Sequence, residues 1–348
     1  MTTFRPEALE GCLLGCAIGD AVGLPYEGIS QKRIKRWVRF PLRHRLLFGR
    51  GMLSDDTDHN IFVTQALIRS RGDVAAFRRC LAWRLRLWLL CFPAGIGMAT
   101  LKSIVLLWLG FSRSGIFSAG NGPSMRSAVI GAAFAADAGA RRLHVEASTR
   151  LTHADPKALA GALAVAEVAA RLAAGEWVTR PSPRELAAVL RAVSSQPDWL
   201  VAVGLIEALC ASSASLETAP ERFGSRNGVS GYALHTVPFA IVAWHRHFGD
   251  YRATIEAIVR AGGDVDTVAA IGGALAGITV GPSGIPPEWV EGVIDWPHSV
   301  FYIRLLAAGL ADPAAEVSAA FSPWLFPRGL FFLAVVLAHG FRRLAPPY

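Results

Sequence analysis

Two short acidic runs, Ser54-Asp55-Asp56-Thr57 and Asp264-Val265-Asp266-Thr267, each place carboxylates beside hydroxyls just ahead of an apolar stretch. A helix start uses one oxygen-bearing side chain as its cap and favours negative charge. Asp58 brings the first run to three aspartates within four positions, more than a cap requires. Adjacent like charges repel unless a cation, a basic side chain or solvent compensates them. Two readings stand side by side: caps with solvated neighbours, or two halves of one oxygen-rich metal site. Carboxylates and hydroxyls are hard ligands suited to Mg²⁺, Mn²⁺ or Ca²⁺. Neither run follows the twelve-position calcium loop, and neither carries a glycine-lysine phosphate loop. Four or five carboxylates around one point exceed the needs of a single ion, so convergence would mean a two-metal centre.

Other residues could complete such a site. Gly11, Gly15, Gly19 and Gly23 recur every four positions, a helix stripe for close packing rather than a dinucleotide fingerprint. Asp20 lies within that stripe, placed to support a metal site rather than to hold ions, and Glu27 follows in a loop. Gly120-Asn121-Gly122-Pro123-Ser124-Met125-Arg126 leaves backbone N–H groups accessible before a small-residue helix, a setting that suits phosphate. Thr152-His153 precedes another helix, where a histidine more commonly caps or packs than catalyses. Tyr232, after Gly231, either offers a face to a base or fills the core.

The elements that must position these residues read as almost entirely helical. Alanine and leucine at three- and four-residue spacing run through 61–69, 74–90, 127–136, 156–174, 183–193, 201–210, 232–245, 251–259 and 267–278. Breaks fall at 113–123, 180–183, 212–230 and 281–287, and none resembles an interdomain linker, so one domain is expected, with 212–230 its most mobile loop. The apolar run 329–338 is too short to span a bilayer; it is expected as a buried terminal helix, with a membrane or partner contact beside Arg342 and Arg343 as the other reading.

Composition narrows the class. The 348-residue chain can build a large core, and its five cysteines form no close pair, so neither a disulfide framework nor a zinc-thiolate site is indicated. With no basic leader ahead of a clean apolar stretch, a cytoplasmic protein is expected. The net charge of +8 comes mostly from arginine and includes a cluster from Lys32 to Arg43. Basic residues interleaved with aromatics at period two are absent, which argues against nucleic acid as the direct ligand without eliminating it.

In order, Gly15-x-x-x-Gly19-Asp20-Ala21-x-Gly23-x-Pro25-x-Glu27-Gly28, the two acidic runs, Gly120-Asn121-Gly122, Met125-Arg126, Thr152-His153 and Gly231-Tyr232 resemble the ADP-ribosylglycohydrolase family across roughly residues 11–290. The resemblance implies an all-α, compact orthogonal helical bundle with a central dinuclear metal cleft, over residues 1–310, with 311–348 as an apolar extension packed on the same domain. It implies hydrolysis of the glycosidic bond at C1'' of the distal ribose in an ADP-ribosylated protein, most naturally at arginine, releasing ADP-ribose. Ser54, Asp55, Asp56, Asp264, Asp266 and Thr267 would hold two Mg²⁺ or Mn²⁺ ions. Asn121, Gly122, Ser124, Met125, His153 and Tyr232 would lie along the ADP-ribose, and Asp55, Asp56 or Glu27 would handle the proton. An ADP-ribose-binding or immunity-type protein, or a hydrolase for serine, nucleic-acid or small-molecule adducts, is the alternative. His59, where the family commonly has an apolar residue, and Val265 are the departures.

Overall fold

Gly11, Gly15 and Gly19 share one face of the N-terminal helix Pro6–Gly23, and that face lies antiparallel against the helix Val265–Val280. A side chain at any of the three would run into the carbonyl of Gly277, Gly273 or Ala269, respectively. The fit is reciprocal, since Gly273 and Gly277 are pressed against the carbonyls of Gly15 and Gly11. The Tyr251 hydroxyl adds a 2.6 Å hydrogen bond to the Gly15 carbonyl in the same seam. Small residues every fourth position let the backbones approach, as their spacing predicts.

This register has a functional consequence. Gly23 lies against Val265 and Asp266, so the turn Leu24–Tyr26 and then Glu27 arrive at the start of the second acidic helix. Two backbone bonds hold the delivery: the Gly28 N–H donates to the Gly263 carbonyl at 2.7 Å, and the Gly263 N–H to that of Ile29 at 2.9 Å. Gly263 adopts φ 92° and lies so close to Val229 that a side chain there would collide with its backbone.

The structure is a computed structural model that describes residues 6–312 and 314–344. Among the described residues every regular element is helical, and extended segments meet only in isolated bridges. Around the central pair sit Asp55–Ser70, Pro156–Ala173, Ala233–Arg246, Tyr251–Ala261 and Val300–Ala311, closing over one continuous hydrophobic core. All five cysteines are free thiols, and four are buried.

Several expectations change. The helices Met98–Trp108, Ala138–Arg150 and Val300–Ala311 were not anticipated. The first and last are short apolar runs whose periodicity does not separate helix from buried strand. The second carries Arg141, Arg142 and Arg150, which dilute its apolar stripe. The 212–230 loop contains two short helical turns, and Leu216, Ala219, Pro220 and Phe223 anchor it in the interior. The terminal apolar helix runs over Leu325–Arg342, eighteen residues rather than ten, and only one side of it is buried. On that side Gly329 presses against the Cys91 carbonyl, and His339 is 3.0 Å from the carbonyl oxygen of Pro25.

Candidate metal centre and substrate cleft

The first acidic run opens the helix Asp55–Ser70, whose cap is Ser54: its Oγ accepts from the Asp56 N–H at 3.2 Å. Asp20, from the glycine-striped helix, fastens the run in place. Its Oδ2 accepts from the Ser54 N–H at 2.8 Å, the Thr57 N–H at 3.3 Å and the Thr57 hydroxyl at 2.5 Å. The two runs then meet: the Thr267 hydroxyl donates to Asp56 Oδ2 at 3.1 Å. Carboxylate oxygens of Glu27, Asp264 and Asp266 lie within 4.8 Å of one another.

These groups face a cavity of about 450 Å³. Ser54, Asp55, Glu27, Asp264, Asp266 and Thr267 line it, as do Asn121, Gly122, Met125 and His153. Asp56 lies beneath, 1% exposed and held by Ser54 and Thr267. Ser124 is fully buried below the glycine loop, and its hydroxyl has no partner among the described residues. Tyr232 stands off the cavity wall, edge-on to His235 at 4.9 Å and below Lys157. Asn121 does not simply await a ligand; its Nδ2 donates to Asp264 Oδ2 at 2.6 Å and to the Thr236 hydroxyl at 3.0 Å, which orients the carboxylate.

Electrostatics define the cleft. Four carboxylates line it, with no lysine or arginine among the described lining residues, although the chain as a whole carries +8. Burial first, and then mutual repulsion, push Asp55, Asp56 and Asp266 well above the usual carboxylate range. Burial raises Asp264 as well, and lifts Asp20 to about 6. Glu27 stands at the rim, open to solvent on one side; enclosure by protein on the other and the nearby Asp264 raise it too. Asp20 Oδ1, Asp56 Oδ1 and Asp266 Oδ1 are buried without a hydrogen-bond partner among the described residues. Unpartnered acceptors in a cluster of hard oxygen donors fit divalent cations, which would restore the charged form of each carboxylate.

Two arrangements beside the cleft had no clear sequence signal. Asp58, counted with the acidic run, turns away from it. It accepts from His298 at 2.6 Å and Trp88 Nε1 at 3.0 Å, and with Asp295 it neighbours the buried Arg328. These partners hold its pKa below the usual value despite burial. Arg126 is fully buried and reaches His59 Nδ1 at 2.9 Å, the Ser148 hydroxyl and carbonyl at 3.0 Å each, and the Thr152 hydroxyl at 2.7 Å. The departure at His59 thus supplies an acceptor for a buried guanidinium. The cavity also has unanticipated walls: the loop carrying Gly95 and Gly97, Met98 at the start of the helix that follows, and Phe332 and Val336 from the terminal helix. The Phe92-Pro93-Ala94-Gly95 stretch was a readable loop signal. Nothing in the local sequence tied a helix near residue 330 to this cleft.

An all-helical bundle with a carboxylate-walled cleft between its central helices is the fold of a solved ADP-ribosylglycohydrolase-related protein complex. That structure matches with a TM-score of 0.66 at 24% identity, over 88% of this chain and 98% of that one. The chain belongs to the ADP-ribosylglycohydrolase family, whose model matches residues 1–320. An uncharacterized protein of Archaeoglobus fulgidus is 33% identical over 300 residues, 83% of this chain and 92% of its own length. The chicken (Gallus gallus) ADP-ribosylhydrolase ARH3 is 26% identical over 82% of this chain and 89% of its own. The chain is accordingly a hydrolase of glycosidic bonds to ADP-ribose.

Proposed function

We propose that the chain removes ADP-ribose from modified arginine on proteins, with two Mg²⁺ or Mn²⁺ ions held by Ser54, Asp55, Asp56, Asp264, Asp266 and Thr267. The observation that supports this most is the meeting of two acidic runs at a cavity with unpartnered, buried carboxylate oxygens. Bound there, the ions would neutralise the carboxylates and polarise the ribose hydroxyls as Lewis acids.

The side chains divide the remaining work. Asp56 is sealed below the cavity, which leaves Asp55 and Glu27 as the proton-handling groups. Glu27, raised in pKa and at the rim, takes a proton from the attacking water and returns it to the departing guanidine nitrogen; the C1''–N bond breaks as the C1''–O bond forms. Carboxylates around the distal ribose favour the developing oxocarbenium charge. His153, between the glycines of the 120–122 loop, donates to a phosphate or ribose oxygen. Arginine is the favoured acceptor because its adduct stays cationic and Glu27, the one cavity carboxylate outside the ion-holding set, faces it, where a serine adduct gains nothing.

The test is product analysis on arginine- and serine-modified proteins with Mg²⁺ or Mn²⁺. ADP-ribose freed from the arginine adduct is the expected result. Release from the serine adduct alone moves the acceptor, AMP would mean pyrophosphate cleavage, and tight ADP-ribose binding without turnover by folded, metal-loaded protein would reject hydrolysis.

A further inference from the structure

The terminal helix Leu325–Arg342 buries two of its polar residues together with Leu325, Phe332 and Val335, and leaves an apolar outer face that ends at the exposed Arg342. Arg328 and His339 are buried, Arg328 on Asp295 and His339 on the Pro25 carbonyl. From Trp324 to Phe341 every exposed residue is apolar, with Phe326, Leu330, Phe331, Leu337 and Phe341 the largest along the helix itself. At 1.5 Å per residue this face is about 27 Å long. The buried ion pair and the close seat of Gly329 on Cys91 tie the helix to the domain, so it presents this face without leaving the fold.

A second feature adjoins it. The tight turn at residues 47–50 carries Phe48 at its tip, fully exposed with φ 49°. A groove of about 630 Å³ separates the turn from the terminal helix, with Arg45 and Arg342 among its walls. Between Glu27 and Asp55 the chain has eight lysines and arginines and no acid, equal to its entire net surplus. Lys35 pairs with Glu217, and Arg33 reaches the Arg343 carbonyl, so this basic segment borders the end of the helix.

We infer that this surface docks on an anionic lipid bilayer, the outer helix face and Phe48 entering the headgroup boundary while the flanking arginines meet lipid phosphates. A second copy fits poorly, because a two-fold contact through this face would oppose two basic segments. Nucleic acid would satisfy the charge but leave the long apolar face uncovered.

Co-sedimentation of the full chain with vesicles tests this independently of catalysis. Binding to phosphatidylcholine mixed with phosphatidylglycerol is expected, weaker on phosphatidylcholine alone and falling with salt. Leu337→Glu and Phe341→Glu lie at exposed positions and should each lower partitioning about ten-fold, while Arg342→Gln should lower it about five-fold. Melting and ADP-ribose binding of the glutamate variants should match the unaltered protein. Failure to bind the anionic vesicles at low salt, or binding unchanged by Leu337→Glu with Phe341→Glu, would overturn the inference. So would a dimer, seen by light scattering, that the same pair of substitutions dissociates.

Discussion

The hydroxyl of Thr267 donates to Oδ2 of Asp56 across 3.1 Å, joining residues 211 positions apart in the chain. It marks the point where the two acidic runs become one site. The glycine-lined helix pair makes the meeting unavoidable, because Gly19 and Gly23 set Asp20 and Glu27 beside the start of the helix Val265–Val280.

Divalent ions should stabilise the folded chain. At a concentration one hundred times the dissociation constant the gain is about 2.7 kcal/mol, or about 4 °C in melting temperature for a chain of this size. Asp266→Asn should abolish most of that shift, and in metal-free protein it should raise the midpoint by removing one repelling carboxylate. Thermal scans with Mn²⁺ and with chelator measure both effects.

The gain from Asp266→Asn in metal-free protein should grow with pH. Asp266 is raised in the folded state, so above the ordinary carboxylate range the native chain holds a proton that the unfolded chain has lost. Stability from that group therefore falls as pH rises toward the folded pKa. Buried histidines such as His59 and His153 are held neutral and act in the opposite sense, so the difference between variant and parent is the readout. Denaturant midpoints from pH 5 to pH 8 should diverge.

His153 should remain neutral and donate through Nε2 between pH 5 and pH 8. Burial, then the nearby Arg126, push its pKa down to about 3. The Thr152 hydroxyl accepts from Arg126 and has only His153 Nδ1, at 2.9 Å, as its own acceptor among the described residues, which places the ring proton on Nε2. Nitrogen chemical shifts would show this tautomer without titration in that range. Thr152→Val should weaken ADP-ribose binding and cost about 1–3 kcal/mol of stability, since Arg126 loses a buried partner.

Arg328→Ala should be among the most damaging changes outside the cleft. It leaves Asp295 and Asp58 buried without their guanidinium, a loss of about 3–5 kcal/mol. Truncation before Pro323 should lower the midpoint too and open the cavity wall made by Phe332 and Val336. Urea unfolding of both proteins provides the comparison.

Much of the site could be read locally. The carboxylates, their hydroxyl neighbours and the glycine loop announce themselves by residue type, and the four-residue glycine spacing announces close helix packing. The roles of Asp58 and Asn121 could not be read that way. Asp58 looks like a member of the acidic run, yet helical geometry turns it toward His298 and Trp88. Asn121 looks like a ligand contact, yet it is engaged by Asp264 and Thr236.

By itself the sequence determined the all-helical class, the family and the oxygen-donor chemistry, because periodicity and residue type are properties of short stretches. Only the tertiary structure decided which carboxylates share a cavity, which one is sealed beneath it, and that the terminal helix walls the cleft on one side and bares an apolar face on the other. Those outcomes depend on contacts between residues tens to hundreds of positions apart, where the direction of a side chain is set by the packing of whole helices.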